Sequence, residues 1–89
     1  MNSRITEDFL ACFAALPNPV KAQARNAYRL WWQNAAHPSL QFKKVHTHEP
    51  IYSARISLGW RVLGLLEGDT VYWFWVGSHA EYDRLLEQQ

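Results

Sequence analysis

The stretch 51–82 constrains the fold of this 89-residue chain more than any other part of it. Two runs of alternating apolar and polar residues lead to a Glu-Gly-Asp turn at 67–69, and an aromatic run follows. Alternation that is broken by a glycine turn is typical of adjacent antiparallel strands. The run 71–76 is apolar on both faces, which indicates a strand in the middle of a sheet with cover on both sides. The sequence therefore predicts a β-hairpin as the core.

The alternation also assigns the residues of the preceding run to two faces, because successive side chains of a strand point to opposite sides of the sheet. Tyr52, Ala54 and Ile56 share one face, and Arg55 lies on the other. The apolar face is expected to pack against helices. Arg55 is therefore expected to point away from them.

Two helices are predicted before the hairpin. Thr6 is a suitable N-cap for the first helix, which ends before Pro17. Asn18-Pro19 predicts the start of the second helix, with Asn as N-cap and Pro at the first helical position. An apolar face then recurs at helical spacing as far as Trp31. The charges on the other side of this helix are typical of a solvated face: Lys21, Arg25 and Arg29.

The remaining elements are short. A strand is predicted at 40–45, an edge strand at Arg4-Ile5 has only a weak signal, and Ser78 with Glu81 forms a capping-box pattern that starts a last helix, 79–87. The predicted fold class is α+β, with two N-terminal helices packed on a roughly four-stranded antiparallel sheet and a short C-terminal helix. Residues 1–89 are expected to form one domain.

Composition excludes some classes of protein. Cys12 is the only cysteine, which excludes an intrachain disulfide and a cysteine-based zinc site and fits a reducing compartment. No apolar run reaches the length of a membrane span, and the first residues lack the pattern of a secretory signal. We therefore expect a cytoplasmic protein that needs neither a membrane nor a cofactor.

Charge is unevenly distributed along the chain. Residues 41–61 carry four basic side chains and one acidic one, whereas residues 62–89 carry one basic and five acidic ones. A locally basic segment is compatible with a polyanionic partner.

The order of these elements, together with four short segments, resembles the toxins of the RelE/ParE superfamily. The segments are Phe42-Lys43-Lys44-Val45, Tyr52-Ser53-Ala54-Arg55-Ile56, Trp60-Arg61-Val62-Leu63-Gly64 and Gly77-Ser78-His79-Ala80-Glu81-Tyr82. The resemblance covers nearly the whole chain from Phe9 onward. It implies a toxin of a toxin-antitoxin pair, either a RelE-like endonuclease of mRNA on the ribosome or a ParE-like poison of gyrase. It also implies a cognate antitoxin as partner and leaves a homodimer open.

The resemblance implies specific site residues as well. The basic residues matched by position to those that hold RNA in the nuclease branch are Lys43 or Lys44, Arg55 and Arg61. His79 matches the C-terminal His of YoeB-like members, and Tyr82 stands near their terminal Tyr.

Metal-free RNA cleavage needs a base, an acid and cations for the charge that builds on the phosphate. His79 suits proton transfer because the unperturbed pKa of histidine lies near neutrality, and the forked guanidiniums of Arg55 and Arg61 suit phosphate. The second-rank bases are Glu49, His46 and His48. The near-neutral net charge and the acidic C-terminal third favour an alternative, a ParE-like or degenerate toxin that acts by protein binding without catalysis.

Overall fold

The computed structural model describes residues 1–87. Its strands are β1 (Asn2–Ile5), β2 (Lys43–Lys44), β3 (Ile51–Ser57), β4 (Trp60–Glu67) and β5 (Thr70–Ser78), and its α-helices are α1 (Glu7–Ala14), α2 (Asn18–Gln33) and α3 (His79–Glu87). A 3₁₀ turn, Pro38–Leu40, lies between α2 and β2. None of the helices in residues 1–87 is both long enough and apolar enough to cross a membrane.

The five strands form one sheet in the order β1-β5-β4-β3-β2. The predicted hairpin core and α+β class are confirmed, and the aromatic strand β5 is an interior strand. The strand count and the purely antiparallel sheet need correction, because β1 adds a fifth strand that runs parallel to β5. The edge strand had only a weak sequence signal because it is short and mostly exposed, so its side chains show no clean alternation.

Within the predicted strand at 40–45, Lys43 and Lys44 pair with β3, and the Val45 N–H donates to the Ile51 carbonyl at 2.9 Å. Leu40 belongs instead to the 3₁₀ turn, where its side chain is buried in the core. Gln41 follows with a left-handed backbone, φ 47°, which turns the chain towards β2. Burial of Leu40 therefore overrides the strand pattern of this segment.

The main core lies between the helices and one face of the sheet. α1 packs on β5 and α2 packs on β3. One cluster joins Trp31, Ala54 and Trp73, and a second joins Val20 to Ile56. The expected burial of the Ala54 and Ile56 face against α2 is therefore confirmed, and the Arg55 face is left on the side of α3.

The helix starts agree with the sequence in two cases out of three. Thr6 caps α1, since its Oγ1 accepts a hydrogen bond from the backbone N–H of Phe9 at 3.2 Å. The expected Asn18 cap of α2 is wrong: Pro17 holds the N-cap position without a side-chain bond, and Asn18 is already helical. The Pro17 carbonyl accepts from the N–H groups of Val20 and Lys21, so the backbone alone closes this end.

The capping box of α3 is confirmed. The Ser78 hydroxyl donates to Glu81 Oε1 at 2.9 Å and accepts from the Glu81 N–H at 3.2 Å, while the Ser78 N–H donates to the same carboxylate at 3.3 Å. The hydrogen bond from the Ser78 side chain, followed by the one from its backbone, lowers the pKa of Glu81.

This lowered pKa predicts a pH dependence of stability. A carboxyl group whose pKa is lower in the folded state stabilises the fold above its unfolded pKa, and this contribution is lost as the pH falls through the folded value. Ser78→Ala is therefore expected to destabilise the protein by about 1 kcal/mol at pH 7. The difference from wild type is expected to shrink below about pH 4. Urea unfolding midpoints across pH check this, with Glu87→Gln at the far end of α3 as the control.

Candidate functional site

Arg55 and Arg61 lie directly opposite each other on β3 and β4. The Leu66 N–H donates to the Pro50 carbonyl, which marks pairs of even-numbered residues as hydrogen-bonded in this ladder. Arg55 and Arg61 are therefore a non-hydrogen-bonded pair, in which opposed side chains come closest together, with Cα atoms about 4.5 Å apart. The register thus brings two predicted site residues together on the face that carries α3.

The electrostatics of this pair are unfavourable in the absence of an anion. Burial and then the positive charge of Arg55 lower the pKa of Arg61. Like charges directly opposite each other destabilise a sheet. Within residues 1–87 the only ion pair joins His79 and Asp83, so no carboxylate forms a salt bridge with either arginine. A bound anion would relieve this repulsion.

The Arg61 side chain is held in place by the backbone. Its Nη1 donates to the carbonyl of Ser57 at 2.9 Å and to that of Trp60 at 3.0 Å. Both acceptors flank the β3–β4 turn, which therefore fixes the guanidinium at the end of the hairpin. The other N–H groups of Arg61 make no hydrogen bond within the described chain.

The two lysines are separated by the register of β2. Lys43 pairs with Ser53 and so shares the face of Arg55, whereas Lys44 pairs with Tyr52 on the opposite face. Both are exposed at the edge of the sheet. Of the two lysines matched to RNA-holding residues, only Lys43 lies on the arginine face.

His79 begins α3 next to the β3–β4 turn, because its backbone N–H donates to the carbonyl of Gly59 at 2.8 Å. Its side chain is 47% exposed, and its Nδ1 lies 3.5 Å from Asp83 Oδ1. The Asp83 carboxylate also acts on Arg61, where it opposes the lowering of the pKa. Asp83 therefore links the imidazole to the arginine pair.

Tyr82 lies in the core rather than on an open surface. The residue is 6% exposed, and its hydroxyl donates to Ser53 Oγ at 3.2 Å. Ser53 is itself buried on the arginine face. In the described conformation Tyr82 anchors α3 to the sheet and does not offer its ring to a ligand, because inward packing of α3 takes this side chain with it.

The anchoring role predicts the effect of removing the hydroxyl. Tyr82→Phe is expected to cost about 1–2 kcal/mol of unfolding free energy, because Ser53 Oγ loses its partner inside the fold. Adding Ser53→Ala is expected to recover part of this loss, since both partners are then absent. Chemical denaturation checks both, with Tyr72→Phe as a matched control at a half-buried tyrosine. If the losses of unfolding free energy from the two substitutions simply added, the hydrogen bond between Tyr82 and Ser53 would be contradicted.

One of the second-rank base candidates, His46, has a structural role. His46 Nδ1 accepts hydrogen bonds from the backbone N–H groups of His48 at 3.1 Å and Glu49 at 2.9 Å, so this imidazole orders the loop between β2 and β3. Within residues 1–87, no three His, Cys, Asp or Glu side chains form a group able to hold a metal ion.

Two residues of the site were missed by the sequence reasoning. Asp83 stands four residues after His79, the spacing at which two side chains meet on a helix, and this signal was available. Ser53 shares the parity of Arg55 on β3, which places it on the same face. Its bond to Tyr82 depends on how α3 packs, and no local pattern predicts that.

This chain is similar to known proteins in its sequence family and in its fold. Residues 18–84 match the family described as the ParE-like toxin domain. Among curated protein sequences, none matches this chain.

Solved structures with a similar fold include RelE from E. coli, at TM-score 0.64 and 16% identity over 98% of this chain and 96% of that one. YafQ from E. coli has TM-score 0.72 at 10% identity over 91% and 96%. The RelB-RelE antitoxin-toxin complex from Methanococcus jannaschii has TM-score 0.67 at 18% identity over 90% and 95%. At these identities the likeness shows a shared fold.

Proposed function

This chain belongs to the ParE-like toxin domain family, within the RelE/ParE superfamily of toxins from toxin-antitoxin systems, and we propose that it acts as a RelE-like endoribonuclease on ribosome-bound mRNA. The observation that carries the proposal is the directly opposed pair of Arg55 and Arg61, which lacks a carboxylate partner within residues 1–87. A phosphate group fits this pair, since guanidiniums bind phosphate oxygens through two parallel N–H bonds.

The chemistry follows from the residues around the pair. The 2′-hydroxyl oxygen of the RNA attacks the adjacent phosphorus, the bond to the 5′ oxygen breaks, and the products are a 2′,3′-cyclic phosphate and a 5′-hydroxyl. The arginines stabilise the charge that builds on the phosphate oxygens. His79 delivers the proton that the leaving 5′ oxygen requires, while the proton of the 2′-hydroxyl passes to water.

The arrangement of His79 suits this role. Asp83 lies near Nδ1 of the imidazole, which leaves Nε2 to face the substrate. Lys43 lies on the same face at the sheet edge and adds a contact to the RNA backbone. Tyr82 contributes indirectly, by fixing the helix that presents His79 and Asp83.

We also propose a cognate antitoxin as the protein partner. The fold is shared with toxins that were solved in complex with antitoxins, such as RelE of Methanococcus jannaschii. An acidic segment of such a partner would neutralise the arginine pair as phosphate does, and would thereby inhibit the toxin.

The test is cleavage of mRNA in a translating extract, mapped by primer extension. Wild-type protein is expected to produce fragments that begin with a 5′-hydroxyl, and the Arg55→Ala/Arg61→Ala double variant is expected to produce none above background. A folded wild-type protein that leaves the mRNA intact, as the double variant does, would reject the proposal.

A second candidate function is inhibition of gyrase without catalysis. Two observations favour this function. The matching family is ParE-like, and α3 lies over part of the arginine face. This function predicts loss of DNA supercoiling by purified gyrase and intact mRNA in the same preparation. Unchanged supercoiling at saturating toxin would exclude it.

A further inference from the structure

A cavity of about 420 Å³ opens between α1, α2 and the sheet. We call it the helix cleft. The two helices pack on different strands, α1 on β5 and α2 on β3, and the cleft is the space left between the helices. Its floor consists of buried side chains from α2 and the sheet: Trp31, Ala54 and Trp73.

The lining of the helix cleft is almost entirely apolar. Phe9, Phe13 and Ala24 form its walls, and Leu10 and Ile5, which are 55% and 49% exposed, also line it. Binding sites for small molecules are usually concave, of about 300–1,000 Å³, and lined by apolar and aromatic side chains with a few polar groups. The helix cleft has these properties.

The charged groups of the cleft have one sign. Arg25 and Arg29 line it from α2 and Arg55 lines it from β3, and no acidic side chain does. The Arg25 guanidinium lies 5.3 Å from the centre of the Phe13 ring, so it sits at the apolar wall. None of these arginines forms an ion pair within residues 1–87. The cleft therefore combines an apolar interior with three cations that have no counter-ion within residues 1–87.

A residue of the cleft floor also carries a hydrogen-bond donor that has no acceptor. In residues 1–87, the indole nitrogen Nε1 of Trp31 is the only buried side-chain N or O atom without a hydrogen-bond partner. An unpaired buried donor costs about 1–3 kcal/mol.

From these observations we propose that the helix cleft binds a small amphiphilic carboxylate. Its hydrocarbon part lies against the aromatic floor, and its carboxylate meets Arg25 and Arg29. A slender chain fits better than a helix of a partner protein, because the floor residues Trp31 and Trp73 are only 3% and 4% exposed. A helix of about 10–12 Å diameter would not reach them. Arg55 lines the cleft as well, but this inference does not rest on RNA cleavage, because its test measures ligand binding by amide shifts and not activity.

The test is titration of the ¹⁵N-labelled full-length chain with octanoate, followed by amide shifts in NMR spectra. Octanoate is expected to shift the amides of Ala24 and Ala27, while those of α3 stay unchanged. Arg25→Gln/Arg29→Gln is expected to weaken octanoate binding about fivefold, because each partly exposed ion pair is worth a few tenths of a kcal/mol to about 1 kcal/mol. The same variant is expected to bind neutral 1-octanol as wild type does.

A cleft-filling variant separates this site from general binding to apolar surface. Ala24→Leu occupies the cleft and is expected to abolish the binding of both probes, whereas Ala22→Leu on the exposed side of α2 is expected to bind them as wild type does. Arg84→Gln on α3 is the matched control for charge and is expected to leave octanoate affinity unchanged. Octanoate binding that survives Ala24→Leu, or equal affinity of wild type and the Arg25→Gln/Arg29→Gln variant, would overturn the proposal.

Discussion

Arg61→Ala is expected to lower the rate of mRNA cleavage by about 100- to 1,000-fold, the usual loss when one group that stabilises transition-state charge is removed. The carbonyls of Ser57 and Trp60 hold its guanidinium at the end of the hairpin, so the charge is in place before the substrate binds. Arg61→Lys is expected to restore only a small part of the rate, because an ammonium group cannot form the two parallel bonds of a guanidinium to phosphate. Primer extension in a translating extract measures both.

The matched control is Arg4→Ala, an exposed arginine on β1 at the opposite edge of the sheet from β2. It is expected to cleave at the wild-type rate. The Arg55→Ala variant should lose activity in the same direction as Arg61→Ala, and the double variant should lose less than the product of the two, because the residues act on one phosphate. Wild-type cleavage by folded Arg61→Ala protein would refute the role of the pair.

The arginine face was predictable because it depends on strand parity. Alternation within 51–57 places the side chains of Arg55 and Ala54 on opposite faces of the sheet. The short turn at 58–59 makes β3 and β4 adjacent. Parity survives in the structure because the apolar face must be buried, and a shift by one residue would expose it. The irregular pairing after Arg55 falls at the end of the strand and does not disturb this assignment.

The parts that could not be predicted depend on contacts between distant elements. β1 is paired through its backbone to β5, and Ser3 accepts hydrogen bonds from both the Tyr28 hydroxyl and Trp73 Nε1, which no local pattern encodes. Tyr82 has the helical spacing of an apolar face, but only the packing of α3 on Ser53 decides that its ring is buried. The helix cleft also forms because α1 and α2 pack on different strands, and the sequence of neither helix indicates this.

Gly64 is another such residue, and its replacement is expected to have a large effect on stability. From the sequence alone, a glycine at this position is expected only to weaken the strand. In the structure, a Cβ atom at this position would lie 2.5 Å from Val71 Cγ1 and 2.7 Å from Trp73 Cε3. Val71 is completely buried, and the Trp73 indole is held by Ser3, so neither neighbour is free to move.

Gly64→Ala is therefore expected to lower the free energy of unfolding by about 2–3 kcal/mol, the usual cost of overpacking a core. For a domain of this size, the loss corresponds to a fall of about 10–20 °C in the melting temperature. Gly59→Ala is the matched control, since a Cβ there would meet no atom within 4 Å, and its effect should stay within about 0.5 kcal/mol. Equal melting temperatures for the two variants would show that the sheet yields at Gly64, and the tight packing of β4 against β5 would then be wrong.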